Sequence, residues 1–236
     1  MDKKNDNKMT IRIDISDSLA NSIRRYVNEI QVLAVNEVEI IKNDSALYDE
    51  TIAHRIGLIP LKNEKVFDEK RGGYLKLSVN KQGIVYSKDL KGSLSVVYEN
   101  MPITNLEKDQ EIELIAEVNY GKGIEHAKYI PGFMYYKNLK EIKSGSKGQE
   151  INDILSHCVN YCGEEMKIEN NKSYTINLCE QCEERLESLG VEMGDSEKIV
   201  IILESFGQMP TKEIFLSSIK TLKKDLVDLS KKVDKA

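Results

Sequence analysis

Residues 17–61 have the sequence DSLANSIRRYVNEIQVLAVNEVEIIKNDSALYDETIAHRIGLIPL, and this stretch decides the fold. Its pattern predicts a helix, a strand and a second helix. The first helix is amphipathic, and Ser16 or Asp17 stands where a side chain can accept a hydrogen bond from a first-turn amide. Its apolar face comprises Leu19, Ala20, Ile23, Tyr26, Val27 and Ile30.

The other face of this helix carries three polar residues, Asn21, Arg24 and Arg25. Two adjacent guanidinium groups beside an apolar stripe can bind the carboxylates of a partner surface as readily as they can be solvated by water. The alternative interpretation is a solvated helix face with no partner.

The rest of the stretch predicts one strand and one more helix. Residues 31–41 are rich in Val and Ile, and the slip in alternation between Val35 and Val38 indicates a β-bulge or a change of face. Ser45 can cap the second helix, and Gly57 is placed to end it.

Composition excludes several classes of function for this chain of 236 residues. The net charge of −5 and the absence of tryptophan argue against a protein that grips nucleic acid by itself, so we expect any DNA contact to be indirect. The polar amino terminus and the lack of a long apolar run predict no membrane association and a cytoplasmic location. The three histidines lie in no catalytic frame, so we expect no active site in this chain.

Outside the opening stretch, short apolar alternations predict a second, β-rich region after Leu61. SGSKGQE at 144–150 predicts a flexible connector, and KIVIILES at 198–205 predicts a buried strand. Pairing of this strand with those at the amino-terminal end would make the first domain discontinuous. The other predicted strands are residues 9–15, 74–79, 83–87, 93–99 and 111–118.

The last predicted helix begins after Thr211 as its cap, and its apolar residues are spaced by four and three. This spacing is typical of a seam between two helices. The helix could dock only on its own domain, but its apolar edge is longer than a small sheet covers, so we favour a helix shared with a partner subunit. The apolar seam comprises Phe215, Ile219, Leu222, Leu226, Leu229 and Val233.

The four cysteines form two close pairs, C-x3-C and C-x2-C, separated by 16 residues. This is nearly the zinc-ribbon pattern, in which four thiolates close a structural tetrahedral site. The first pair has one more intervening residue than is common. Zinc is the favoured ligand, and metal-free thiols are an alternative. The predicted ligands are Cys158, Cys162, Cys179 and Cys182.

Several segments, in order, resemble one family. NSIRRYVNEIQVLAVNEVEI, NDSALYDETIAHRIGLIPL, GKGIEHAKYIPGFMYY at 121–136 and the segment 199–226 are similar to the alpha-like assembly subunit of cellular RNA polymerases. This family includes the bacterial alpha amino-terminal domain, the archaeal D-type subunit and the third-largest subunit of eukaryotic polymerase II. Of these three, the archaeal D-type subunit is the one that the sequence of these segments resembles most.

The resemblance implies an α+β fold with a discontinuous dimerisation domain built from both chain ends. Residues 1–60 and 191–236 would form that domain, residues 61–143 an inserted β-rich domain, and residues 144–190 a small four-cysteine module. The implied function is a non-catalytic platform that pairs with a small alpha-like subunit, of the archaeal L type, and then recruits the second-largest catalytic subunit.

By the same resemblance, the seam helix and the apolar side of the first helix would pair with the small subunit. The large-subunit contact would fall on Asn21, Arg24, Arg25, Arg55, Glu125, His126 and Lys128. Some archaeal relatives carry ferredoxin-like insertions at the cysteine module, so a 4Fe-4S cluster is a further alternative to zinc. Two other hypotheses are a free-standing zinc-ribbon nucleic-acid-binding protein and an iron–sulfur redox protein.

Overall fold

The computed structural model describes residues 7–63, 73–156 and 168–235. Over these residues the chain divides into two compact units. Of the described residues, the first unit contains 7–9, 22–63, 73–134 and 203–235, and the second unit contains 10–21, 135–156 and 168–202. The structure is mixed α and β, and the strand pairs with a defined register are antiparallel.

The helices of the described residues are α1 (Asp17–Tyr26), α2 (Asp49–Gly57), α3 (Gly148–Ser156), α4 (Glu180–Ser188) and α5 (Thr211–Val233). Short 3₁₀ turns occupy Val27–Glu29, Ser87–Asp89 and Ala127–Tyr129. The strands are β1 (Lys8–Ile13), β2 (Gln31–Asn43), β3 (Gly73–Val79), β4 (Gly83–Tyr86), β5 (Lys91–Gly92), β6 (Pro102–Leu106), β7 (Ile112–Lys122), β8 (Gly132–Lys143), β9 (Ser173–Ile176) and β10 (Glu192–Ser205).

The main sheet of the first unit has the strand order β2-β7-β3-β5, and β4 pairs with β6 beside it. Alternate residues of β3 and β7 point inward, so their Leu, Ile, Ala and Val side chains form one apolar core with α2. The register between β2 and β7 shifts between Val35 and Glu37, so Asn36 is an extra residue in β2. The bulge predicted between Val35 and Val38 is therefore confirmed.

A second sheet has the order β1-β10-β8-β9. β10 therefore neighbours β1, which is one of the two pairings expected for that strand. β2 does not join this sheet and is instead the edge strand of the other one, where it pairs with β7 over eleven positions from Gln31↔Lys122 to Asn43↔Ile112. The predicted pairing of β10 with residues 31–41 is wrong.

The second unit has an apolar core of its own, built from α3, α4, β9 and the end of β8. Lys140 to Lys143 of β8 pair antiparallel with Ile176 to Ser173 of β9. The core residues are Ile142, Ile151, Leu155, Ile168, Ile176, Leu178, Cys182, Leu186 and Val191. Burial of these side chains is sufficient reason for this segment to be ordered over its described residues.

Several predicted local details are wrong. α2 begins at Asp49 rather than after Ser45, because Ser45 is engaged with Asn43 in a turn. The predicted connector 144–150 already contains the start of α3 at Gly148. Thr211 is the first residue of α5 and is buried, with Pro210 as the cap.

The strand predicted at 93–99 is also absent. That segment contributes only a bridge between Val96 and Leu61, and the neighbouring strand β5 has two residues.

Candidate functional site

The charged face of α1 is presented by a well-capped helix. The Ser16 hydroxyl accepts a hydrogen bond from the Leu19 amide at 3.3 Å, as predicted. Ala20 and Ile23 are buried on one side, whereas Arg24 and Arg25 are exposed on the other. Asn21 lies one turn earlier on the same helix.

A loop packs directly against the turn that follows α1. The β7–β8 loop, residues 123–131, contains the predicted contacts Glu125, His126 and Lys128. The Ile124 amide donates to the Asn28 carbonyl at 3.2 Å. The structure therefore brings this loop to the carboxyl end of the helix that carries Arg24 and Arg25.

The bulge in β2 anchors the other end of the loop. The Tyr129 hydroxyl donates to Asn36 Oδ1 at 3.2 Å, and Lys128 Nζ donates to the Asn36 carbonyl at 3.3 Å. A Cβ on Gly121 would stand only 2.4 Å from the Tyr129 ring, so glycine is needed there for the ring to pack against β7. Burial raises the pKa of Tyr129 and lowers the pKa of Lys128.

Two polar contacts join the 3₁₀ turn after α1 to its neighbours in the first unit. Lys122 Nζ lies 3.1 Å from Glu29 Oε2, and this hydrogen bond raises the pKa of Lys122. Burial raises the pKa of Tyr26, and the negative charge of the nearby Asp225 on α5 raises it further. These contacts fix the end of α1 against β7 and the middle of α5.

The two halves of α5 differ in burial. Thr211, Ile214 and Ser218 in the first half are buried. Beyond Asp225 the apolar seam is exposed, at 56% for Leu226, 57% for Leu229 and 65% for Val233. Ile219 is at 36%, and Phe215 and Leu222 are half-buried. The carboxyl-terminal half of the seam is thus an apolar strip that the first unit does not cover.

Some predicted contact residues already serve their own fold. Arg55 Nη1 donates to the Ile103 carbonyl at 2.8 Å, so its guanidinium ties α2 to β6 and is not part of the β7–β8 loop. Glu125 Oε2 accepts from the Lys122 amide, and His126 Nδ1 accepts from the Lys128 amide, both at 3.1 Å. These three side chains position local structure besides any contact they make with a partner.

The cysteine site is only partly within the described residues. Cys179 is the residue before α4, and Cys182 lies in its first turn, fully buried in the core of the second unit. The Cys182 amide donates to the Cys179 carbonyl at 2.9 Å. The two residues share one helix end, and Cys158 and Cys162 fall outside the described residues. Within the described ranges, no group of three or more His, Cys, Asp or Glu side chains could hold a metal.

Sequence reasoning missed the residues that hold this surface together. Asn36 was visible only as part of a bulge, and nothing in the sequence links it to Tyr129, 93 positions away. The Tyr26 to Asp225 contact is likewise long-range. The sequence did offer a signal at Ile124, because it is an apolar residue between Gly123 and the polar pair Glu125 and His126.

Comparison with known proteins decides the family. Residues 38–134 match the family model described as the RNA polymerase Rpb3/RpoA insert domain. The chain is 31% identical to DNA-directed RNA polymerase subunit Rpo3 of Thermococcus kodakarensis, over 94% of this chain and 92% of the relative. This chain belongs to the Rpo3 family of RNA polymerase subunits.

Other Rpo3 relatives agree with this assignment. Rpo3 of Pyrococcus horikoshii is 32% identical over 93% of this chain and 91% of its own. Rpo3 of Pyrobaculum calidifontis is 30% identical over 89% and 86%. The resemblance to the archaeal D-type subunit is confirmed, and the two hypotheses of a free-standing nucleic-acid-binding or redox protein are not favoured. Among the described residues, no helix combines the length and apolar character needed to span a bilayer.

Proposed function

We propose that this Rpo3-family chain is the assembly platform of a multisubunit DNA-directed RNA polymerase. In this role it pairs with a small alpha-like subunit, then recruits the second-largest subunit, and has no active site of its own. DNA is reached only through the complex, which we place in the cytoplasm. Residues 1–60 and 191–236 form the dimerisation domain in this proposal, residues 61–143 the inserted domain, and residues 144–190 the cysteine module.

The exposed half of the apolar seam is the observation that carries the proposal. Leu226, Leu229 and Val233 lie on one helix face and are each more than half exposed. An apolar helix edge of this length normally packs against a second helix. The small alpha-like subunit supplies that helix, and burial of the seam drives pairing.

The surface for the second-largest subunit lies on α1 and the β7–β8 loop. Arg24 and Arg25 present exposed guanidinium groups one turn before the point where the loop packs on Asn28. Charged groups of this kind set orientation and encounter rate more than raw affinity. Asn21, Glu125, His126 and Lys128 complete this surface, whereas Arg55 acts mainly through its bond to β6.

The cysteine module holds zinc in this proposal, through Cys158, Cys162, Cys179 and Cys182. The shared position of Cys179 and Cys182 at one helix end supports the second ligand pair. A closed four-thiolate site would add to the stability of the second unit and supply no chemistry.

The test is co-expression of this chain with and without a small alpha-like subunit, followed by light scattering and metal analysis. We expect a soluble one-to-one complex with about one zinc per chain, because four thiolates close a single site. A well-behaved lone monomer that ignores the small subunit would overturn the platform proposal. A one-to-one complex without zinc would overturn only the metal assignment.

A further inference from the structure

Ile124 is the most exposed of the large aliphatic side chains in the described part of the chain, at 68%. It lies near the tip of the β7–β8 loop, directly before Glu125. A single exposed apolar residue is ordinary on a protein surface. Ile124 differs from such residues because hydrogen bonds and close packing hold the backbone on both sides of it.

Backbone hydrogen bonds hold Ile124 in place from both sides. Its own amide donates to the Asn28 carbonyl at 3.2 Å. The amides of Glu125 and His126 donate to the Lys122 carbonyl at 2.9 and 3.3 Å, and the Lys122 amide donates to the Glu125 carboxylate at 3.1 Å. The loop is therefore ordered before any partner arrives, so little conformational entropy is lost when its tip is buried.

Close packing beneath the loop adds to this order. A Cβ on Gly123 would lie 2.8 Å from Ile130 Cγ1 and 3.2 Å from the Asn28 Cα. The chain can approach the 3₁₀ turn this closely only because residue 123 has no side chain. The residues beneath the loop are thus closely packed, and the apolar side chain of Ile124 is left exposed to solvent.

The charges beside Ile124 define what it can contact. Arg24 and Arg25 are exposed in the last turn of α1, and the 3₁₀ turn that follows holds the Ile124 amide through the Asn28 carbonyl. A matching surface must offer an apolar pocket for Ile124 and carboxylates for the guanidinium groups. This combination is typical of a protein partner, because an anchor in a pocket surrounded by charged contacts is how hot spots are built.

We propose that Ile124 is the apolar anchor that inserts into a carboxylate-bordered apolar pocket of the second-largest polymerase subunit. The inference rests on the proposed function and adds to it the residue that supplies affinity, whereas the arginines supply orientation. No contact at Ile124 was implied by the family resemblance, which pointed only to the charged residues of this loop.

The experiment measures binding of the purified second-largest subunit to the complex of this chain with its small subunit. The variants are Ile124→Asp, Ile124→Ala and Ile124→Leu, and the matched control is Ile84→Asp, because Ile84 is 53% exposed on β4. We expect Ile124→Asp to weaken binding at least about tenfold, as at interface hot spots. Ile124→Ala also weakens binding, while Ile124→Leu and the control stay within about twofold of the unchanged chain.

The outcomes separate the anchor from the proposed function. Unchanged binding by both Ile124→Asp and Ile124→Ala would overturn the anchor and leave the platform role standing. Equal weakening by Ile84→Asp would show a general surface effect and would also overturn the anchor. If the unchanged complex does not bind the second-largest subunit at all, the platform role fails, and the anchor fails with it.

Discussion

Tyr129 illustrates how one side chain can determine the shape of an interaction surface. Its ring fills the space above Gly121, and its hydroxyl reaches the bulged residue Asn36. Burial raises the pKa of Tyr129, so the hydroxyl remains protonated and able to donate at neutral pH. The loop that carries Ile124, Glu125 and His126 is therefore fixed to β2 by a neutral hydrogen bond that salt does not screen.

Tyr129→Phe tests this role. Loss of one hydrogen bond costs about 0.5–1.5 kcal/mol, which corresponds to roughly two- to tenfold faster hydrogen exchange at the amides of Ile124, Glu125 and His126. The exchange rates are measured by mass spectrometry or NMR. Tyr74→Phe is the control, because Tyr74 is 53% exposed on β3. Unchanged exchange in the loop of the Tyr129 variant would show that packing alone holds it.

Besides its proposed role as a zinc ligand, Cys182 is part of the apolar core of the second unit, against which Cys179 packs only partly. Its side chain is fully buried among apolar residues of the second unit, whereas Cys179 is half-buried before α4. Serine at position 182 would place a hydroxyl in that apolar core, which costs about 1–3 kcal/mol, and alanine would avoid this cost.

We therefore expect all three variants, Cys179→Ser, Cys182→Ser and Cys182→Ala, to lose bound zinc. All three should make the second unit more sensitive to limited proteolysis, because the site adds to its stability, and Cys182→Ser should be the most sensitive because it also buries a hydroxyl. Metal content is measured by mass spectrometry on each purified complex. Zinc retained at the level of the unchanged chain in Cys182→Ala would contradict the ligand assignment.

At the scale of elements, α5 is a helix with two different environments along one face. Its first half is buried through Ile214 and Ser218, and Asp225 meets Tyr26 where this cover ends. Beyond that point Leu226 and Leu229 are more than half exposed, so changing them removes less packing within the first unit than changing a buried residue such as Ile214.

Leu226→Asp combined with Leu229→Asp should abolish pairing with the small alpha-like subunit. Two carboxylates in an apolar helix interface cost several kcal/mol, so we expect at least about a hundredfold loss of affinity. Lys224→Asp with Lys231→Asp is the matched control on the opposite helix face, and pairing should survive it. Affinity is measured by titration calorimetry, and circular dichroism should show unchanged helix content. Retained pairing in the Leu variants would place the small-subunit contact elsewhere.

The elements that the sequence predicted best are those whose signal is local. The capped helix α1, the bulge in β2 and the long helix α5 follow from spacing within one segment, which short-range sterics and burial determine. The start of α2 was misplaced because Asn43 competes for Ser45 and holds it in a turn. The connector before α3 was misjudged because burial of Ile151 and Leu155 outweighs the Gly and Ser residues that precede the helix.

The pairing of strands that are far apart in the chain could not be predicted from the sequence in the same way. The partner of β2 is β7, far along the chain, and apolar alternation in both strands is equally compatible with β10. For the candidate site, the sequence supplied Arg24, Arg25 and the β7–β8 loop, but their proximity came only from the structure. The role of Arg55 in binding the Ile103 carbonyl was equally hidden, because an arginine in a motif does not reveal which acceptor it meets.

At the scale of the whole molecule, the apolar seam of α5 and the charged surface of α1 differ in chemistry, which predicts two separable assembly steps. Apolar burial drives the first step and depends little on salt, whereas guanidinium contacts orient the second-largest subunit in the second step and weaken as ionic strength rises. Arg24→Ala with Arg25→Ala should therefore leave the complex with the small subunit intact. Binding of the second-largest subunit should fall about tenfold or more at low salt, and its dependence on salt should become shallower.

Lys81→Ala with Lys108→Ala is the control for this prediction, because it removes the same charge from exposed turns of the first unit. Binding of each subunit is followed separately by size-exclusion chromatography and by interferometry at two salt concentrations. Equal loss of both steps in the arginine variant would contradict the division, since it would mean that α1 supports pairing rather than recruitment. Equal loss of recruitment in the lysine control would mean that net charge, and not the position of the two guanidinium groups, governs the second step.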